Sequence, residues 1–171
     1  MKINQIITGK KALVLSALAF IVIASAAFII AHADFSGDWK LNESKSNLGQ
    51  FGRAAKTLKI TGSVENIAIQ RASTNQNGEA VTTNETLTFD DKETESTVFG
   101  NSKKKSKAKW SDDGKTLTVK STIAFDRNGE TMEIKSTETW TLSDDGKTLT
   151  IESTSTSPRG TNTTKLVYDK A

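Results

Sequence analysis

"TLTVKSTIAFDRNGETMEIKSTETWTL", Thr116 to Leu142, is two alternating runs on either side of one turn signal. In the first run Leu117, Val119, Ile123 and Phe125 fall on one side, with Thr116, Thr118, Lys120 and Thr122 on the other. In the second, Met132, Ile134, Trp140 and Leu142 oppose Thr131, Glu133, Lys135 and Thr139. Two is the period of side chains along a β-strand, so each run reads as a strand with one face buried and one in water. Thr suits the wet positions because its branched Cβ fits the pleat. Asn128-Gly129 between the runs tolerates positive φ and makes the stretch a hairpin.

The same punctuation recurs along the chain. Asn77-Gly78, Asp113-Gly114 and Asp145-Gly146 favour tight hairpins, Gly100-Asn101 and Arg159-Gly160 look like further turns, and Gly62 to Asn66 and Asp90 to Lys92 offer two more. The segments between them number about ten strands, each joined to the next by a short loop. Beyond residue 33 a helical period is found only around Phe51 to Ala55. The expected fold is all-β: an antiparallel up-and-down meander of about ten strands. Such a sheet must deal with its edges, most simply by closing into a barrel.

One octet, SDDGKTLT, occurs twice, at Ser111–Thr118 and Ser143–Thr150. A calcium loop needs further oxygen ligands at fixed spacing, and here Lys115 follows Asp113-Gly114 at once. A phosphate loop needs an earlier glycine that is missing. Each copy lies between an aromatic-bearing strand, ending near Trp110 or Trp140, and an apolar one beginning at Leu117 or Leu149. The octet therefore reads as a hairpin turn used twice, in a repeated strand–turn–strand unit.

The front of the chain is of another kind. Lys2, Lys10 and Lys11 precede an uncharged apolar run from Ala12 to Ile30 that ends in Ala31-His32-Ala33, a small-x-small cleavage pattern. We expect residues 1–33 to be a signal peptide and 34–171 to be one exported domain, periplasmic or secreted. The run approaches the ~20 residues that span a bilayer, so a retained anchor is the alternative. The whole chain carries 23 Lys and Arg against 20 Asp and Glu, but three of those lysines are in the leader, leaving 20 against 20. No overall positive field remains to argue for nucleic acid. His32 is the only histidine and there is no cysteine. The domain thus lacks the imidazole and thiol of nucleophilic triads and of zinc sites, and no metal or cofactor is expected.

"FSGDWKLN", Phe35–Asn42, carries Gly37-x-Trp39 on the first strand, with Phe35 ahead and Lys40-Leu41 behind. This resembles the opening strand of the calycin superfamily, the lipocalins and fatty-acid-binding proteins, and is similar to the small exported lipocalin-like domains of bacteria. The resemblance covers essentially Phe35–Tyr168. It implies a barrel in which Trp39 plugs the closed end and Gly37 lets backbone approach the ring. It does not extend to ligand chemistry. The TDY motif and disulfides of lipocalins are absent, the Arg-x-Tyr of fatty-acid-binding proteins is not matched by Lys165-Leu166-Val167-Tyr168, and Asn42 to Lys56 is too short for a helix-turn-helix lid.

The buried register does not stay apolar. It runs Val81, Thr83, Glu85, Leu87, Phe89 in an early strand, then Val119, Ser121, Ile123, then Ile134, Ser136, Glu138, Trp140, then Leu149, Ile151, Ser153, Ser155. A packed core does not readily accept two carboxylates. Either the interior is a partly wet cavity, with Arg71 or a lysine to pair with an acid, or bulges turn these residues outward. The run KKKSKAKW, Lys103–Trp110, reads as a solvated or edge strand guarded by lysine, with Ala108 and Trp110 inward, or as a patch for lipopolysaccharide, nucleic acid or an acidic partner. Sequons at Asn42, Asn84 and Asn162 matter only in a eukaryotic secretory pathway.

The expected function is to bind a small, mostly apolar ligand of the lipid or fatty-acid class. Candidate cavity-lining residues are Thr83, Glu85, Ser121, Ser136, Glu138 and Ser153. The expected state is a monomer with no nucleic-acid partner, touching membrane only through a retained leader. The alternative is a filled barrel acting as an envelope or protein-interaction module through its lysine run. Acid–base catalysis by Glu85 and Glu138 has no supporting spacing, so no enzyme is expected.

Overall fold

The alternating runs all become strands. The computed structural model describes residues 31–50, 54–75, 77–98, 102–127 and 129–171. The expected leader through Ile30, most of the Phe51–Ala55 stretch, Gly100-Asn101 and Asn128 lie outside the described residues. The strands are β1 (Gly37–Leu41), β2 (Thr57–Gly62), β3 (Asn66–Thr74), β4 (Ala80–Thr88), β5 (Thr94–Val98), β6 (Ser102–Trp110), β7 (Thr116–Arg127), β8 (Glu130–Leu142), β9 (Thr148–Ser157) and β10 (Gly160–Lys170). All are antiparallel to their neighbours, in the order β4-β3-β2-β1-β10-β9-β8-β7-β6-β5. β4 and β5, the two ends of that order, pack side by side without a shared ladder. The result is a nearly closed ten-stranded barrel with one seam.

The register is continuous where the sequence left it open. Leu117 pairs with Trp140, Ser121 with Ser136 and Phe125 with Met132, with no bulge between. Glu138 thus stays on the face of Trp140, and Glu85 on the face of Leu87. The lysine run is not an edge strand: β6 lies inside the sheet, between β5 and β7.

The octets are turns of one geometry. In the first, Gly114 N–H donates to Ser111 O at 2.9 Å and Ser111 N–H to Thr116 O at 2.8 Å; the second repeats this from Gly146 and Ser143 at 2.8 and 2.9 Å. Asp113 and Asp145 each accept from the serine hydroxyl two residues back at 2.6 Å and from a lysine N–H two residues on at 3.1 Å. Only the glycines take positive φ, 70° and 69°. The loop is therefore a four-residue one built on a type I turn, not the two-residue turn that Asp-Gly favours in tight hairpins. Asp113 and Asp145 are thus committed to their own loops, and the one further carboxylate in each octet, Asp112 or Asp144, belongs to no group of three or more potential metal ligands among the described residues.

The core gathers at one end. Phe35, Trp39, Leu58, Ile69, Leu87, Leu117, Trp140, Leu149 and Tyr168 are essentially excluded from solvent. Trp110 stacks between Phe35 at 5.3 Å and His32 at 4.7 Å. Trp39 Nε1–H donates to Phe35 O at 2.9 Å, which ties the entering chain to the plug. Gly37 has φ +137°, and a Cβ there would stand 3.0 Å from Lys170 Cε but 3.9 Å from the Trp39 ring nitrogen. Its glycine therefore serves the backbone angle and the Lys170 stem more than approach to the indole. Ala33 N–H donates to Gly114 O at 2.9 Å. A cut after Ala33 would remove this bond and the His32 stack, both on the leader side of the expected site.

Candidate functional site

Burial along the inward faces falls off in one direction. On β7 it passes from buried Leu117, Val119 and Ser121 to half-buried Ile123 and Phe125. On β9 it passes from Leu149 and Ile151 to half-buried Ser153 and Ser155. On β3, Ile67 and Ile69 give way to Arg71 and Ser73, and on β4, Leu87 and Glu85 give way to Thr83 and Val81. The barrel is thus packed at the Trp39 end and reached by water at the other.

A charged floor lies at the boundary. Glu85 on β4 accepts from Lys104 Nζ at 2.9 Å and Ser106 Oγ at 2.7 Å, both on β6. Glu138 on β8 accepts from Trp140 Nε1 at 2.8 Å and Arg71 Nη2 at 3.4 Å, and the same Arg71 nitrogen is 4.0 Å from Glu85. The guanidinium also lies over the Trp140 ring at 5.2 Å. Two cations and two carboxylates therefore face one another across the interior. Their bonds join β3 to β8, and reach from β4 to β6 over the seam that lacks a ladder.

The electrostatics follow from this geometry. Burial pushes the Glu138 carboxyl up, but the charges of Arg71 and Lys104 and the bonds from Trp140 and Arg71 outweigh it and hold the pKa below the ordinary value. Burial likewise works against Arg71, yet Glu138 and Glu85 keep it above its usual value. Tyr168 donates to Ala55 O at 3.0 Å. Burial, helped by Glu138 and opposed by Arg71, pushes its hydroxyl up to about 12.

Tyr168 is the only tyrosine in the chain, so its ionisation can be followed alone. Tyrosinate absorbance is expected to rise near pH 12, about two units above free tyrosine. Because the folded value is raised, its stabilisation is complete below pH 10 and is lost between pH 10 and 12. A midpoint near 10 in folded protein would place the hydroxyl in water.

All six candidate residues, Thr83, Glu85, Ser121, Ser136, Glu138 and Ser153, point inward, and Ser121 and Ser136 share a hydrogen bond at 2.9 Å. Glu85 and Glu138 are brought together through Arg71, and Thr83 and Ser153 stand beside that group, paired in register with Arg71 and Glu138. Sequence reasoning missed Lys104 and Ser106. Counting back by two from Trp110 and Ala108 places both inside, against the reading of the lysines as an outer run.

The remaining lysines of β6 face outward. Lys103 pairs with Glu95 and Lys105 with Glu93, each at 3.1 Å. A shallow concavity of about 570 Å³ lies on this outer face, bordered by Lys105, Lys107, Lys120 and Lys135 with Thr137 and Thr154. Among the described residues no group of three or more acids or histidines is placed to hold a metal ion, and no helix is long and apolar enough to cross a membrane.

No protein-family model matches the chain, and no curated protein does either. Among solved structures it is similar to the zebrafish ileal bile acid-binding protein complexed with cholic acid. The identity is 18%, the TM-score 0.51, and the match covers 80% of this chain and 98% of that one. The chain shares the antiparallel ten-stranded barrel fold of that protein. At that identity the likeness concerns the fold. In the first connection a 3-10 turn, Glu43–Lys45, and one bridge from Asn47 to Lys165 are described.

Proposed function

We propose that the protein is an exported carrier that takes a small, mostly apolar molecule of the lipid class into the open half of the barrel. The observation that carries this reading is the loss of burial along β3, β4, β7 and β9 beyond the charged floor. A filled barrel would be packed at both ends. Ile123 pairs with Ile134 and Phe125 with Met132, so half-buried apolar side chains line that half of the interior. The solved neighbour of the same fold is a bile acid-binding protein, which is consistent with such a role.

Native mass spectrometry of the protein purified from its own host, followed by solvent extraction, tests the reading. A reproducible extra mass of lipid size is expected, with the leader absent from the measured mass. A clean apo mass together with no uptake of added apolar probes would sink it and direct attention to the outer lysine face.

A further inference from the structure

The floor of the cavity has charge partners of its own, and this limits what can bind there. Arg71 is held by Glu138 at 3.4 Å and approached by Glu85 at 4.0 Å, and Lys104 is held by Glu85 at 2.9 Å. Lys104 and Glu85 are both buried, and Arg71 and Glu138 keep only 20% and 16% of their side chains exposed. Among the described residues, no inward cation of the floor is left without a carboxylate. A ligand carboxylate reaching this floor must displace Glu85 or Glu138 and leave it buried without its partner, which works against binding. The Tyr168 hydroxyl is likewise committed, to Ala55 O.

The walls beside and beyond the floor are of two kinds, with Ile123 paired in register with Lys104 and Ser153 with Glu138. On the β7–β8 side stand Ile123, Ile134, Phe125 and Met132. On the β9–β10 side Ser155 is paired with Asn162 and Ser153 with Thr164, all half-buried and facing in. One wall thus offers hydrocarbon and the other hydroxyl groups beside the Asn162 amide, whose oxygen already accepts from Gln50 N–H at 2.9 Å; these groups donate and accept without carrying charge.

Resting on the carrier reading above, we propose that the cavity selects uncharged amphiphiles bearing hydroxyl groups and discriminates against free carboxylates. The ligand's apolar body lies on the Ile123–Phe125 wall and its hydroxyls meet the Ser153–Ser155 wall. The balanced floor excludes the anionic head that an unpaired arginine would attract.

The test compares 1-monooleoylglycerol with oleate, which share an acyl chain and differ in head charge, by displacement of a fluorescent apolar probe from delipidated protein. The glyceride is expected to bind at least about tenfold more tightly, and Glu138→Gln, which frees Arg71 while keeping side-chain shape, is expected to narrow that ratio by about tenfold in favour of oleate. If that variant fails to fold, Glu85→Gln frees Lys104 in the same way. Oleate binding as tightly as the glyceride, or indifferent to release of the cation, overturns the selectivity while leaving the carrier reading intact. Failure of both ligands to displace the probe overturns the selectivity, and failure of the probe itself to bind removes the carrier reading with it.

Discussion

Trp39→Ala is expected to lower the unfolding free energy by about 3–5 kcal/mol, measured from urea midpoints at unchanged slope. The indole is 1% exposed and sits where the chain enters the closed end, so its loss leaves a cavity that the surrounding strands cannot easily fill. Phe35, Leu58 and Tyr168 belong to the same buried cluster, and collapse there would have to move several strands at once. Against a typical domain stability of about 5–15 kcal/mol, the loss is large enough to show as partial unfolding at moderate temperature. Trp39→Phe keeps most of the volume but gives up the bond to Phe35 O, so it should cost less, about 1–2 kcal/mol. A loss under about 1 kcal/mol for the alanine variant would mean that Trp39 does not plug the barrel.

Much of this architecture is legible because a sheet with one wet face writes period two into its strands. Leu117, Val119 and Trp140 are where that period places them, and the same period puts Glu85 and Glu138 on the inward register while leaving open a bulge that would turn them outward, which the continuous pairing of β3 with β4 and of β7 with β8 removes. The partners of those acids are less legible. Arg71 and Glu138 meet from β3 and β8, and strand-local periodicity carries no information about which walls face each other across a barrel. Lys104 was misread because five lysines in seven residues look like a surface, although Ala108 and Trp110 set the phase that turns Lys104 and Ser106 inward. The octets misled in a smaller way. Asp-Gly specifies that a turn occurs, while the serine before it, by accepting from Thr116 or Thr148 N–H, sets the longer loop. His32 falls within the cleavage pattern, and only the closed structure puts Trp110 beneath it.

Glu138→Ala should cost about 3 kcal/mol, because it strips Arg71 of its nearer counterion and Trp140 Nε1 of its acceptor in one step. The value belongs at the lower end of what breaking a buried pair costs, since Arg71 keeps a fifth of its side chain exposed and still has Glu85 at 4.0 Å. Removing the cation as well, in Glu138→Ala with Arg71→Leu, should recover part of the loss, and the cycle of single and double variants should report a coupling of about 1–3 kcal/mol. The pH dependence has a fixed sign. The folded pKa of Glu138 lies below its ordinary 4.5, so its stabilisation is present above pH 4.5 and disappears as pH falls through the folded value. The native protein should therefore lose stability on acidification more steeply than Glu138→Ala, with the two curves parallel above the ordinary value of 4.5 and drawing together as pH falls through the lowered folded value. Curves parallel throughout the acid range, or a cost below about 1 kcal/mol, would show that Arg71 is solvated well enough to do without Glu138. The floor would then be too wet to discriminate by charge, and selection between neutral and anionic ligands would have to come from the walls alone.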